Sequence, residues 1–89
     1  MKTLELQVTY RKGRPIAAYL YLPRRAGDKA KSTKEPIEGL LVDYAADGRP
    51  IGIEIRSPGH VSVDQVNQIL EQIGLEPIQP EELSPLQAA

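Results

Sequence analysis

Cysteine, phenylalanine and tryptophan are all missing from this 89-residue chain, and four tyrosines are its only aromatic residues. Without cysteine, disulfides, thiolate catalysis, iron–sulfur clusters and thiolate zinc sites are excluded. Without large apolar rings, the core has to be aliphatic. A single histidine, His60, rules out a histidine cluster. Long apolar runs are lacking as well. The longest, Ile16 to Leu22, falls far short of the ~20 residues that cross a bilayer. The start, Met1-Lys2-Thr3-Leu4-Glu5, turns polar too early for a signal-peptide apolar segment. The expectation is a cytoplasmic protein without a membrane segment. A chain of this length folds as one domain, burying roughly 60–65% of the surface its unfolded form exposes.

The net charge of −1 hides an uneven distribution. Residues 1–34 carry nine Lys/Arg against Glu5 and Asp28, a net +7. Residues 35–89 carry Arg49 and Arg56 against ten Asp/Glu, a net −8. Such a split favours self-pairing or a charged partner, unless folding interleaves the two halves in space.

Leu4, Leu6, Val8 and Tyr10 alternate with polar residues, the period-2 signature of a half-buried strand. Turn residues 11–15 follow, then Ile16 to Leu22, apolar on both faces. Pairing Tyr10 with Ile16 brings the apolar sets of this hairpin onto one side. Pro23 ends the second strand because it cannot donate to the ladder. Residues 24–36 are basic, polar and aperiodic, and read as a mobile loop. Asp47-Gly48 between two alternating runs signals a second hairpin. A two-residue turn there pairs Ala46 with Arg49, Tyr44 with Ile51, Val42 with Ile53 and Leu40 with Ile55. Asp43, Gly52, Leu41 and Glu54 then share the other face.

Ser62 and Gln65 have capping-box spacing, and Val63, Val66, Ile69, Leu70 and Ile73 form one helical stripe. Gly74 suits the left-handed position after a helix, with Leu75 making the accompanying apolar contact and Pro77 forbidding continuation. The fold class is therefore α+β. It comprises a four-stranded antiparallel sheet of two hairpins, with one C-terminal helix on its aliphatic face. Residues 1–76 make the domain, and 77–89, with Pro77, Pro80 and Pro85 around a turn at Glu81–Leu83, make an extended tail.

Val8-Thr9-Tyr10, Ala18-Tyr19-Leu20-Tyr21-Leu22, Val42-Asp43-Tyr44, Asp47-Gly48-Arg49 and Gly52-Ile53-Glu54-Ile55 together carry a resemblance. Residues 5–57 are similar to the bacterial domain of unknown function family 2283. Ile16-Ala17 stands where members usually have an acidic residue, and loop 24–36 is longer and more basic than in the family. The resemblance implies the same strand order and a small cytosolic protein that works with a partner. It implies no activity.

Asp43 and Glu54 form a diagonal cross-strand carboxylate pair, which can hold a hard cation or divide acid and base roles. The plainer reading is a solvated sheet face. His60 has Ser57, Ser62 and Asp64 nearby in sequence, a spacing that helix capping explains as well as catalysis does. The basic patch Arg24, Arg25, Lys29, Lys31 and Lys34, extended by Arg11, Lys12 and Arg14, has the charge to touch phosphates. No aromatic residue interleaves with it for base stacking, and the sequence pI is about 5.8. No glycine-rich phosphate loop is present.

Tyr19, Tyr21 and Leu41 point away from the aliphatic face and form an apolar patch of the kind that marks interfaces, unless the loop or the C-terminal tail covers it within the chain. The leading expectation is a non-enzymatic protein-interaction module that homodimerises through this patch and binds a second small protein in turn. Catalytic, cofactor and metal residues are not expected. One alternative is weak nucleic-acid binding through the loop at 24–34. The other is a metal-dependent enzyme using Asp43 and Glu54.

Overall fold

The computed structural model describes residues 4–87. Five strands, β1 (Glu5–Arg11), β2 (Arg14–Tyr21), β3 (Ser32–Ile37), β4 (Leu40–Tyr44) and β5 (Pro50–Ile55), form one antiparallel sheet in the order β1-β2-β5-β4-β3. A 3-10 turn at Pro58–His60, the helix α1 (Val63–Gln72), a second 3-10 turn at Pro80–Leu83 and the helical turn α2 (Ser84–Gln87) follow. The architecture is α+β with an antiparallel sheet, but it has five strands where four were expected.

The additional strand is β3, which occupies the C-terminal part of the segment read as a mobile loop. Its residues Ser-Thr-Lys-Glu-Pro-Ile are exposed except for half-buried Ile37. An edge strand wet on both faces needs no apolar alternation, and so leaves no period-2 signal. Pro36 is tolerated because an edge strand can spare a donor.

Both hairpins keep the expected register along their bodies and depart from it at their tips. Leu6 faces Leu20 and Val8 faces Ala18, but Tyr10 faces Pro15 rather than Ile16. The cause is the Lys12-Gly13 turn, where both residues lie in the left-handed region (φ 52° and 78°). This two-residue turn closes the hairpin one position early, and Ile16 is the extra residue that restores register.

In the second hairpin Leu40 faces Ile55 and Val42 faces Ile53, but Tyr44 faces Pro50 and not Ile51. The Gly48 N–H donates to the Ala45 carbonyl at 2.9 Å and the Ala45 N–H to the Arg49 carbonyl at 2.8 Å. The turn therefore has three residues, with Gly48 at φ 91° and Ala45 in the place foreseen for Ala46. Such a turn alone would rotate the isoleucines to the wrong face. The irregularity between Asp43 and Tyr44, with Ile51 as the unpaired residue, cancels the slip.

On one face of the sheet Ala18, Leu20, Leu22, Leu40, Val42, Ile53 and Ile55 are buried against Val66, Ile69 and Leu70 of α1. The helix starts as its sequence directs. The Ser62 hydroxyl accepts the Gln65 N–H at 3.2 Å, and the Gln65 side chain accepts the Ser62 N–H at 3.0 Å. It ends on Gly74 (φ 80°), with the Leu75 N–H donating to the Leu70 carbonyl at 2.8 Å.

The tail is not extended as expected. It is helical from Pro80, and Ile78, Leu83 and Leu86 are buried in the same core. Asn67, which the helical pattern places on the polar face of α1, clamps it. Its carbonyl oxygen accepts the Ile78 N–H at 2.8 Å, and its amide donates to the Ile78 carbonyl at 3.2 Å. Prolines at 77, 80 and 85 suppress a long helix but permit a short one with proline in its first turn.

Leu83 is only 1% exposed. Leu83→Ala is accordingly expected to destabilise the protein by about 2–5 kcal/mol in urea unfolding, as a core truncation does. A solvated tail would give a change near zero.

Candidate functional site

The face of the sheet opposite α1 carries the side chains singled out for interaction. Tyr19 and Tyr21 come from β2, Leu41 and Asp43 from β4, and Glu54 from β5, with Thr33 from β3 beside Asp43. Tyr19, Tyr21 and Leu41 are half-buried.

Tyr19 lies across β5 to reach β4. Its hydroxyl donates to Asp43 Oδ2 at 2.8 Å, while the Thr33 hydroxyl donates to Asp43 Oδ1 at 2.6 Å. The crossing is possible because Gly52 lies beneath the ring, where an added Cβ would fall on the Tyr19 hydroxyl and ring carbons. Gly52 is the residue of β5 that faces both Tyr21 and Asp43, so a side chain there would interrupt the bridge. Burial, and then the hydrogen bond that the protonated phenol donates to the Asp43 carboxylate, push the Tyr19 phenol up from 10.0 to about 12.

Tyr21 packs edge-on against Tyr19, ring centroids 4.8 Å apart, and its hydroxyl donates to the Gln7 side chain at 2.9 Å. The Arg24 guanidinium lies 5.1 Å from the centre of the Tyr21 ring, while Arg24 Nε–H donates to the Ile51 carbonyl at 3.1 Å. The bulge residue Ile51 thereby anchors the start of the basic loop. The two rings are ordered from three sides, with both hydroxyls satisfied.

The basic residues are distributed rather than gathered. Arg24 is folded over Tyr21, and Lys34 belongs to β3, its ammonium 5.8 Å from the Tyr44 ring centre. Arg25, Lys29 and Lys31 are exposed on loop 22–31. That loop is pinned. The Lys31 N–H donates to the Tyr44 carbonyl at 2.7 Å, and the Arg25 N–H donates to Asp28 at 2.8 Å.

Asp28 in turn receives both terminal nitrogens of Arg49, at 2.7 and 3.1 Å, and Arg49 Nε donates to Asp47 at 2.7 Å. The Arg49 guanidinium holds the Asp28 and Asp47 carboxyls below the usual carboxylate range. Arg11, Lys12 and Arg14 sit at the β1–β2 turn, where β2 begins, whereas loop 22–31 follows the end of β2. The two basic clusters thus stand at opposite ends of the sheet.

Asp43 and Glu54 occupy the expected diagonal positions, with Asp43 opposite Gly52 and Glu54 opposite Leu41. Both oxygens of Asp43 are already committed to hydroxyl donors. Among the described residues no group of three potential metal ligands assembles. His60 is exposed in the 3-10 turn, and the Ser62 hydroxyl near it is engaged in the helix cap. Thr33, Gly52 and the Asp28–Arg49 pair escaped the sequence pattern. A glycine in mid-strand was the available signal for close approach by a neighbour.

Gly52→Ala should displace the Tyr19 ring and cost about 1–3 kcal/mol in chemical denaturation. In a Tyr19→Ala background the same substitution should cost far less, and additive losses would show that Tyr19 is not what Gly52 accommodates. Tyr19 also makes stability fall with alkali. Its folded form keeps the proton, so its contribution is intact below pH 10 and is lost as the pH rises toward 12. Phenolate absorbance of the folded protein should show a late-titrating component that Tyr19→Phe removes.

Neither a curated protein nor a solved structure matches the chain. One family model, described as a protein of unknown function (DUF2283), matches residues 17–56. The matched span is narrower than the 5–57 of the sequence resemblance, omitting β1 and beginning within β2. It contains Tyr19, Tyr21, Thr33, Leu41, Asp43 and Gly52, and excludes α1 and the tail. The match thus runs across the strands that build the open face, from within β2 to the end of β5.

Proposed function

We propose that the protein is a non-enzymatic protein-interaction module that self-associates through its open sheet face. The observation that carries this reading is the one-sided cover of the sheet. The helix and tail bury one face, while the other presents Tyr19, Tyr21 and Leu41 half-exposed. The two tyrosine rings are already fixed by Asp43, Gln7 and Arg24, so a partner orders little on contact. Tyrosines held in this way offer wide apolar surface at low entropic cost.

Charge supports the same reading. Among the described residues the ion pairs are those of Arg49 with Asp28 and Asp47. The basic first third of the chain is thus not neutralised by carboxylates of the acidic remainder through ion pairs. Two copies related by a two-fold axis would set one copy's basic third near the other's acidic part, which speeds association and sets its salt dependence.

Sedimentation equilibrium tests the reading. The wild type should be larger than a monomer at high micromolar concentration. Tyr21→Glu, with an unchanged circular dichroism spectrum, should shift the distribution toward smaller species. A monomeric wild type, or a Tyr21→Glu distribution equal to the wild type's, overturns the proposal.

A further inference from the structure

The two edges of the sheet are not equivalent. The β3 edge carries Lys34, Pro36 and a register irregularity between Lys34 and Ile37, features that discourage another strand from adding. The β1 edge carries neither lysine nor proline between Glu5 and Tyr10, and the extra residue of its one register shift, Ile16, lies on β2 and not on the edge. Its residues Glu-Leu-Gln-Val-Thr-Tyr are strand formers without proline or lysine, and no strand lies beyond it among the described residues. An edge of this kind is a template for pairing.

The apolar cover is also incomplete at this side. Leu6 and Val8 pack against the core but are only half-buried, whereas Ala18 and Leu20 opposite them are buried. Tyr10 and Ile16, both near the hairpin tip, are 53% and 46% exposed, the two most exposed large apolar side chains of the described residues. Arg11 stands opposite Arg14 across the β1–β2 pair, with no carboxylate within ion-pair distance among the described residues. Like charges in that position repel.

We propose that β1 pairs antiparallel with β1 of a second copy, about a two-fold axis at Val8. In that register Val8 faces its own counterpart, Gln7 faces Thr9, Leu6 faces Tyr10 and Glu5 faces Arg11. Every position then meets a residue of matching character on the same face, and the repelling arginines gain a carboxylate at each end. No other registration centred within the strand brings Glu5 opposite Arg11. The two sheets become one, with both helices on one side and both open faces on the other. This contact rests on the same general reading of the protein as a self-associating module, but it uses a different surface from Tyr21, so the two stand or fall separately.

The absence of native cysteine makes the register directly measurable. Cβ atoms of directly opposed residues lie about 4.5–5.5 Å apart, close enough for a disulfide to form with slight adjustment. Val8→Cys should therefore yield a cross-linked dimer under mild oxidation. Gln7→Cys should remain largely uncross-linked, because its counterpart lies diagonally across the pair. Glu5→Arg, at an exposed position, should weaken association about tenfold, and Glu5→Arg/Arg11→Glu should restore it.

Cross-linking of Val8→Cys that persists in Tyr21→Glu supports the edge contact whatever becomes of the open face. Absence of the cross-link in a chain that still self-associates overturns the edge contact and leaves the open-face reading standing. Equal cross-linking of Val8→Cys and Gln7→Cys, or failure of the charge swap to restore association, also overturns the proposed register.

Discussion

Burial of the aliphatic side of the sheet is the contact on which the rest of the molecule depends. With no phenylalanine or tryptophan available, the core collects many side chains that contribute a few kcal/mol each. It draws them from β2, β4, β5, α1 and the tail, a set reaching from Ala18 to Leu86. The ten-residue helix does not close this surface by itself. Asn67 extends the cover by capturing the backbone of Ile78, so that a position on the polar face of the helix becomes the point from which Leu83 and Leu86 are brought inward.

The opposite face obeys a different rule, in which polar geometry rather than apolar area decides the arrangement. Tyr19 is held over Gly52 because Asp43 accepts its hydrogen bond two strands away, and Thr33 of the edge strand completes that carboxylate. One interaction thus ties together β2, β4 and β3 above β5. The bulge at Ile51 serves both faces. It corrects the register of the buried isoleucines, and its carbonyl receives the Leu22 N–H at 3.3 Å and the Arg24 side chain at 3.1 Å. The loop that follows is held by Asp28 and Arg49, the minority charges of their respective halves of the sequence.

What was readable in the sequence follows from where side chains go. Strands with one wet and one dry face announce themselves, and the pairings of Leu6 with Leu20 and Val42 with Ile53 were legible from alternation alone. The helix was legible to its caps, because Ser62, Gln65 and Gly74 act on the neighbouring backbone. β3 was not, since a strand exposed on both sides has no pattern to show. The tail was misread for a related reason: Ile78, Leu83 and Leu86 contact distant parts of the chain, and prolines between them imitate a loop. Turn length was misjudged at Asp47-Gly48 because the same dipeptide serves two-residue and three-residue hairpins. At the open face, the positions of Tyr19, Tyr21, Leu41, Asp43 and Glu54 were foreseen, but the bridge over Gly52 required knowing that two side chains from separate strands converge there.

The segment that matches the family model, 17–56, stops short of everything that covers the aliphatic face. Taken by itself it is half of a core, four strands with a dry side and no lid. In this chain the lid is appended in sequence, as α1 and the residues that follow. The segment is thus a part whose stability is set by what it is joined to, and its greasy side fixes the terms of joining: any chain that carries it has to supply an apolar layer of similar extent, either along its own length or from another molecule.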